Sequence, residues 1–392
     1  MTEPYIPYST QDIDDSDITA VSEILKSPHL TQGPAIERFE SAIGAYCQVP
    51  HAIAVSSGTA GIHIALAALD VGRKSRVWTT PITFVGTANA ARMLGAEVSF
   101  VDIEPATGNI DTAALTEKLT TARRDGALPD VLVVVHYTGR TCDMAAIHAL
   151  CQPHNIAIIE DAAHALGAQH GDGHNAGHSH LSQASVFSFH PVKSITTGEG
   201  GLVTTRSAAL AKRLRRLRSH GTSRDRQDFV TPTRSPDVRG DWYYEQLELG
   251  YNYRITDIQA ALGANQMTRL AGFIAARRRL AQRYVHVLDG LPLHLPPPSD
   301  QSAWHLYVVR LAESARLSRR ELFDALRAAN IGVNVHYIPV HLQPYYAQLG
   351  FKPGDYPTSE AFYAGALSLP LYPKLTDDQQ DRVAAVIRQA LV

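Results

Sequence analysis

Short apolar runs recur along the first half of the chain and alternate with amphipathic stretches. The runs predict strands at 51–56, 75–79, 97–102, 131–136, 156–161, 184–189 and 201–205. The stretches between them have helical spacing, as in Ile62, Ala65, Leu66 and Leu69 after the first strand. Strands that alternate with helices form parallel sheets that are buried on both faces. The pattern therefore predicts an α/β protein with a mostly parallel central sheet flanked by helices.

The second half of the chain has a different pattern. Apolar residues recur at helical spacing from Thr256 to about Leu288, which predicts one long helix, and the proline-rich stretch 292–298 ends it. A helix of this length suits a chain that leaves a large domain, residues 1–265, for a smaller C-terminal α/β domain, residues 266–392. Residues 222–241 mix charged residues, serine, threonine, proline and glycine, which predicts a long exposed loop.

Composition narrows the class of protein. The 392 residues carry a formal net charge of −2, so there is no globally basic surface for nucleic acid. The three cysteines have no metal-binding spacing, which favours reduced thiols. No apolar run reaches the length of a membrane span, and the N-terminus does not resemble an export signal. We expect a cytoplasmic enzyme with no membrane partner.

Lys193 has the most distinctive setting of any candidate catalytic residue. The chain has only seven lysines, and Lys193 lies where a short apolar run meets the glycine-rich segment 198–201. A lysine amine that is partly desolvated loses its proton readily and then forms a Schiff base with a carbonyl group. A solvated lysine in a loop is the ordinary alternative, and the neighbouring motifs decide against it.

Two further motifs accompany this lysine. Asp161 ends the apolar strand 156–161, where ligands of open α/β sheets bind, and a carboxylate there suits a protonated pyridine nitrogen, a metal or a ribose. Ser57, Gly58 and Thr59 form a small-residue turn before a helix, which predicts a phosphate site or a cap for stability alone. The glycines of the segment 198–201 have the same two explanations: they form part of a binding site, or they only bend the chain between strands.

A histidine cluster at 170–180 raises the question of a metal site. His170, His174, His178 and His180 lie within eleven residues, but the intervening glycines argue against a helix that would align them. A solvated hairpin loop is therefore the favoured interpretation, and no metal is predicted.

Taken together, these motifs resemble the DegT/DnrJ/EryC1/StrS family of nucleotide-sugar aminotransferases, among the fold-type I enzymes that use pyridoxal 5'-phosphate (PLP). The resemblance spans nearly the whole chain. The motifs that carry it are Thr31–Pro34, Ser57–Thr59, Pro81–Phe84, Val101–Asp102, Glu160–His164, Ser188–Lys193, Glu199–Gly201 and Gly250–Gly263. A narrower resemblance, to the pseudaminic acid branch of the family, rests on Phe189–Lys193, His164, Trp242–Tyr244 and His336–Tyr346.

The resemblance implies roles for particular residues. Lys193 would be the catalytic base that holds PLP, and Asp161 would keep its ring nitrogen protonated. The other residues implied to bind the cofactor are Ser57, Gly58, Thr59, Phe84, His164, Ser188 and Asn252, the last from the second subunit of a homodimer. The residues implied to line the sugar nucleotide are Tyr8, His29, Leu30, Thr31, Asn334, His336 and Tyr337. His341, Tyr345 and Tyr346 are expected to extend this wall.

The same resemblance implies a reaction. The enzyme would transfer the amino group of L-glutamate to C4 of a UDP-linked 4-keto-6-deoxy-2-acetamido hexose. Aminotransfer to another 4-keto or 3-keto sugar, dTDP-linked or D-xylo-configured, is the alternative. A PLP-dependent sugar dehydratase would carry histidine in place of Lys193, and a PLP-binding regulator would need a DNA-binding module.

Overall fold

The central element is a seven-stranded sheet, seen in a computed structural model that describes residues 3–231 and 240–391. The strands are β1 (His51–Val55), β2 (Arg76–Thr79), β3 (Glu97–Phe100), β4 (Val131–Val135), β5 (Ala157–Asp161), β6 (Ala184–Ser188) and β7 (Gly201–Thr205). Their spatial order is β1-β7-β6-β5-β4-β2-β3, and β7 alone runs antiparallel to its neighbours. The prediction of a mostly parallel sheet is confirmed.

Helices cover both faces of this sheet. They are α1 (Asp15–Lys26), α2 (Pro34–Cys47), α3 (Gly58–Ala68), α4 (Val85–Met93), α5 (Thr112–Arg124), α6 (Met144–Cys151), α7 (Ala208–Arg218) and α8 (Asp257–Met267). Side chains of β4 alternate between the two faces: Val133 packs in the core formed by α3, α4 and α7, whereas Leu132 and Val134 pack in the core formed by α5 and α6. Burial on both faces explains why the central strand β4 is apolar throughout.

The C-terminal part contains a second, smaller sheet. Its antiparallel strands are β10 (Leu293–His294), β11 (Tyr307–Leu311) and β12 (Ala366–Leu369). The helices in this part are α9 (Leu270–Val287), α10 (Arg319–Ala328), α11 (Pro344–Ala347), α12 (Pro357–Gly365) and α13 (Asp377–Leu391). The division at residues 265/266 stays a prediction, and it falls in the last turn of α8.

The single long helix predicted for 256–288 is wrong, because the chain forms α8 and α9 with a break between them. The amide N–H of Thr268 bonds to the carbonyl of Asn265 at 3.0 Å, a three-residue turn that ends α8. The next residue, Arg269, contacts Asp12, Asp14 and Asp17 near the N-terminus. These ion pairs hold the chain at the break. The spacing of hydrophobic residues cannot predict them, because they join segments that are far apart in sequence.

The loop predicted at 222–241 lies partly outside the described residues, which omit 232–239. The residues described on either side pair as β8 (Thr222–Ser223) and β9 (Glu245–Gln246). Within the two described ranges, no helix combines the length and the apolar composition needed to cross a bilayer.

Candidate active site

A cavity of about 620 Å³ lies at the carboxyl ends of the parallel strands. It is bounded by the first turn of α3, the start of α4, the end of β5 and the turn after β6. The residues predicted to bind cofactor or substrate that line it are Tyr8, Ser57, Gly58, Thr59, Phe84, Asp161, His164, Ser188, Lys193, Asn334, His336 and Tyr337. Residues far apart in sequence therefore meet in one place, as expected for the end of an open α/β sheet.

The turn before α3 is shaped by close backbone approach. The Ser57 hydroxyl caps the helix and accepts a hydrogen bond from the Ala60 amide at 3.1 Å. A Cβ atom on Gly58 would lie 3.0 Å from the Cβ of Ser188, and a Cβ on Gly201 would lie 2.5 Å from the Ser57 carbonyl. Gly201 therefore has no space for a side chain, and at Gly58 a side chain would fit only with a shift of Ser188. The amides of the first helical turn lack partners within the helix, so an anion can bind them.

Asp161 presents its carboxylate to this cavity from the end of β5. Its Oδ2 accepts a hydrogen bond from the Thr87 hydroxyl at 2.6 Å, and its Oδ1 accepts one from the Ala163 amide at 3.1 Å. The Thr87 hydroxyl also lies 2.9 Å from the Thr83 hydroxyl. Hydrogen bonds of this kind stabilise the ionised form of a carboxylate. These two bonds fix the position of the Asp161 carboxylate, which lines the cavity.

The neighbouring acid, Glu160, faces the other side of the sheet because side chains alternate along a strand. It is 1% exposed and contacts the ring Nε2 atoms of His136 at 2.8 Å and His170 at 3.3 Å. The Ser185 hydroxyl donates to it at 2.9 Å. Burial acts to raise the pKa of Glu160, but the two histidines hold it well below its ordinary value. His170 is therefore buried, and the solvated position predicted for it is wrong.

Lys193 lies in the turn after β6, partly buried against the cavity. Its backbone amide donates to the carbonyl of His190 at 2.9 Å, which fixes the turn. Desolvation lowers the pKa of Lys193 to about 8, and the charge of Asp161 opposes that shift. With this pKa about a tenth of the amine is neutral at pH 7, far more than for an ordinary lysine, and the neutral form acts as nucleophile or base.

Two histidines lie together beside Asp161. The rings of His164 and His305 are 4.4 Å apart, and the Nε2 of His164 lies 3.1 Å from the Tyr337 hydroxyl. Burial and nearby positive charges keep the pKa of each histidine well below its ordinary value, so both rings are neutral. The Nδ1 atoms of both rings are buried and find no hydrogen-bond partner in the described part of the chain. Two polar atoms are thus available to a ligand.

The opposite wall of the cavity is built from the segment 334–337. The Nδ1 of His336 lies 2.7 Å from the Ser368 hydroxyl, and its Nε2 lies 3.4 Å from the Asn334 side-chain amide. Burial lowers the pKa of His336 to about 3, so its ring is neutral. The ring of Tyr8 packs 5.7 Å from this histidine. A buried hydroxyl of Tyr137, below the wall, donates to the His336 carbonyl.

Several residues predicted for the site lie elsewhere in this chain. Asn252 is exposed, as are His29, Leu30 and Thr31, and none of these lines the cavity. His341 is fully buried, and its Nε2 lies 2.9 Å from the Glu360 carboxylate. Tyr346 is in the core, and its hydroxyl donates a hydrogen bond to the side-chain oxygen of Asn89. These two residues are therefore packing residues, and their expected place in the wall is wrong. Tyr345 is half exposed, outside the cavity.

Sequence reasoning missed Thr83, Thr87 and His305, which all line the cavity. Thr87 follows Phe84 by three residues at the start of α4, so helical spacing from a residue already implicated was a usable signal. No local signal identifies His305. It reaches the cavity because the Thr138 carbonyl accepts a hydrogen bond from its amide, and the buried guanidinium of Arg277 contacts its carbonyl at 3.3 Å.

Comparisons with known proteins point to one family. A sequence profile described as the DegT/DnrJ/EryC1/StrS aminotransferase family matches residues 11–388. The spore coat polysaccharide biosynthesis protein SpsC of Bacillus subtilis is 38% identical over 390 residues, which cover 98% of this chain and 96% of SpsC. Helicobacter pylori PseC, an aminotransferase involved in the biosynthesis of pseudoaminic acid, is 30% identical with a TM-score of 0.88 over 99% of each chain. Spr1654 from Streptococcus pneumoniae, in its PMP form, is 27% identical with a TM-score of 0.88, over 99% of this chain and 98% of its own.

Proposed function

The chain belongs to the DegT/DnrJ/EryC1/StrS aminotransferase family, and we propose that it aminates C4 of a UDP-linked 4-keto-6-deoxy-2-acetamido hexose with L-glutamate as amino donor. The proposed acceptor is UDP-2-acetamido-2,6-dideoxy-β-L-arabino-hexos-4-ulose, an intermediate of pseudaminic acid biosynthesis. The chain is a PLP-dependent sugar aminotransferase. The observation that carries the proposal is the cavity in which Lys193 and Asp161 meet the polar wall at 334–337.

The residues of the cavity fit PLP. The turn at 57–59 offers backbone amides to a phosphate, and Gly58 leaves room beside Ser188 for a close approach. We propose that Lys193 holds the cofactor through its amine, that Asp161 faces the ring nitrogen and that Phe84 stacks on the ring. His164, with its unpartnered Nδ1, is the proposed partner of a polar ring substituent. When bound, PLP supplies an electron sink that stabilises a carbanion.

We propose that Lys193 carries the proton transfers of both half-reactions. Its amine moves a proton at the Cα of glutamate in the first half and at C4 of the sugar in the second. The lowered pKa of Lys193, about 8, suits a group that must both accept and return a proton. Thr87 and the Ala163 amide hold the carboxylate of Asp161 in the same position through both halves.

The polar wall supports recognition of a sugar. His336, Asn334, Tyr8 and Tyr337 offer donors and acceptors on one side of the cavity. His336 is neutral, so one of its ring nitrogens donates and the other accepts. A site built around hydrogen bonds rejects analogues that lack the matching groups far better than an apolar pocket does. Hydroxyl and acetamido groups of an amino sugar are the proposed partners of this wall.

PseC and SpsC support different sugars as the acceptor. PseC, at 30% identity over 99% of each chain, supports the pseudaminic acid assignment. SpsC, at 38% identity, takes part in spore coat polysaccharide biosynthesis. That relationship supports the second candidate function, aminotransfer to another nucleotide-linked 4-keto or 3-keto sugar, dTDP-linked or D-xylo-configured.

We propose a homodimer with shared active sites. Asn252 is exposed and lies outside the cavity of its own chain, and the segment 29–31 is also exposed. Exposed positions of this kind suit residues that complete the site of a second copy.

We also propose that the protein acts in the cytoplasm. The three cysteines are free and buried, which suits a reducing compartment.

Epimeric acceptors provide the decisive test. The purified enzyme is incubated with glutamate and, in separate reactions, with the UDP-linked L-arabino 4-keto sugar, its D-xylo epimer and the dTDP-linked counterparts, with a keto acid acceptor as control. Amino-sugar formation is followed by mass spectrometry and NMR. Preference for the L-arabino UDP sugar supports the proposal. Preference for a dTDP sugar or for the D-xylo epimer contradicts the pseudaminic acid assignment and supports the second candidate.

A further inference from the structure

The connection between the parallel strands β5 and β6 brings three histidines together. His170 turns inward to Glu160, whereas His174, His178 and His180 stay together, with one ring nitrogen of each within 4.8 Å of the others. The rings of His174 and His178 stack with centroids 4.1 Å apart. None of the three lines the active-site cavity. The cluster therefore belongs to a separate place in the molecule.

Two of these nitrogens lie at the spacing of two ligands of one metal. The Nδ1 atoms of His178 and His180 are 3.1 Å apart. Zinc binds imidazole nitrogen at about 2.0–2.1 Å with tetrahedral geometry, which places neighbouring ligand atoms about 3.3 Å apart. This pair of nitrogens therefore already has nearly the spacing of two zinc ligands, and the ring of His174, which stacks on that of His178, has to turn for its nitrogen to join them.

Asp172 orients one of the rings. Its Oδ2 lies 2.7 Å from the Nε2 of His180, which leaves the Nδ1 of His180 to face His178. A carboxylate on the far nitrogen of a histidine is the usual support of a metal-binding imidazole. The Nδ1 of His174 lies 3.2 Å from Asp172 Oδ1 but has no hydrogen bond of good geometry among the described residues.

We infer that His174, His178 and His180 form a site for a divalent transition metal, with Asp172 as the orienting carboxylate. Imidazole ligands suit zinc, copper and nickel, and zinc is the probe chosen for the test. His180 also lines an open groove of about 690 Å³, which gives a metal access from solvent and leaves room for water as a fourth ligand. The inference is independent of the sugar proposed above.

Arg206 competes with the metal in this site. Its Nη1 lies 3.3 Å from the Nε2 of His178, so the guanidinium donates to that nitrogen and leaves the proton of the neutral ring on Nδ1. That proton then lies between His178 and His180 in the metal-free loop. For His178 to bind the metal through Nδ1, this proton must move to Nε2, where it displaces the hydrogen bond from Arg206. The positive charge of Arg206 opposes a proton on Nε2 and also opposes the approach of a metal cation.

Zinc titration of the PLP-bound full-length protein by calorimetry tests the site. We expect one equivalent of zinc to bind. His178→Gln and His180→Gln should each weaken binding at least 30-fold, and Asp172→Asn should weaken it about 10-fold. Arg206→Gln should tighten it several-fold. His154→Gln, which changes a half-buried histidine outside the cluster, is the matched control and should leave binding unchanged.

A second measurement identifies the ligands directly. Copper bound to the wild-type protein should show nitrogen couplings in its electron paramagnetic resonance spectrum, and His178→Gln/His180→Gln should lose them. The substitutions lie on a surface loop, so circular dichroism without metal should match the wild type. The inference is overturned if zinc fails to bind at millimolar concentration. It is also overturned if stoichiometric binding survives in the double variant, since the metal would then occupy another place such as the buried His136–Glu160–His170 group.

Discussion

Replacing Asp161 by asparagine removes the charge of this side chain and preserves its size. The structure separates two consequences of that change. The carboxylate accepts hydrogen bonds from Thr87 and from the Ala163 amide, and an asparagine side chain keeps one acceptor oxygen. The Thr87 hydroxyl keeps its contact with Thr83 at 2.9 Å. The stability cost should therefore be that of one exchanged hydrogen bond, about 1 kcal/mol.

The chemical cost should be larger. A charged group that stabilises the reacting centre typically contributes about 3 kcal/mol. This corresponds to a loss of about two orders of magnitude in kcat. The expected result for Asp161→Asn is a protein that melts close to the wild type, retains PLP through its phosphate contacts and turns over about 100-fold more slowly.

The adjacent carboxylate provides the matched control. Glu160→Gln changes the preceding residue of the same strand, on the opposite face, where it removes the partner of His136 and His170. Loss of one member of a buried ion pair costs about 3 kcal/mol of unfolding free energy, so this variant should melt at a lower temperature yet keep its kcat. Steady-state kinetics and thermal melts of both variants make the comparison. Near-normal turnover in Asp161→Asn would refute the assigned role, as would equal losses of turnover in the two variants.

Three further predictions concern the same structure. Lys193→Ala should lose transamination by several orders of magnitude while still binding PLP, and Lys212→Ala, which changes an exposed lysine, is the control. Borohydride reduction of the wild type followed by peptide mapping should label Lys193. A label on another lysine would contradict the assignment. His336→Phe should lower kcat/KM for the sugar about 100-fold, because the wall loses a ring that forms hydrogen bonds. The glutamate half-reaction, followed by absorbance, should be unchanged. A loss in both half-reactions would point to a general disturbance of the site instead. Glu160 has a lowered pKa in the folded state, so its stabilising contribution is complete above its unfolded pKa of about 4.3 and is lost as pH falls below it. The difference in melting temperature between the wild type and Glu160→Gln should therefore shrink on acidification below about pH 4.3, and a constant difference would contradict the sign.

Local sequence patterns determined the elements that interact with close neighbours. The apolar runs identified the strands of the central sheet because burial on both faces demands apolar residues throughout. Lys193, Asp161 and the turn at 57–59 were recognisable because each combines a strand end with a residue type that chemistry requires. Glycine at 201 is an exception, because its reason is the close approach of the Ser57 carbonyl, a contact between segments that are far apart in sequence.

The tertiary structure decided what depends on contacts between distant segments. Thr87 enters the site through its hydrogen bond to Asp161, and His305 enters it through the bond from its amide to the Thr138 carbonyl. His341 and Tyr346 lie outside the site because they are buried in the core. The break after α8 depends on ion pairs between Arg269 and acids near the N-terminus, more than 250 residues away. The inward turn of His170 depends on a carboxylate that faces away from the active site. Hydrophobic periodicity indicates which face of an element is buried, but it does not indicate which segment packs against that face or which charged residues lie near it.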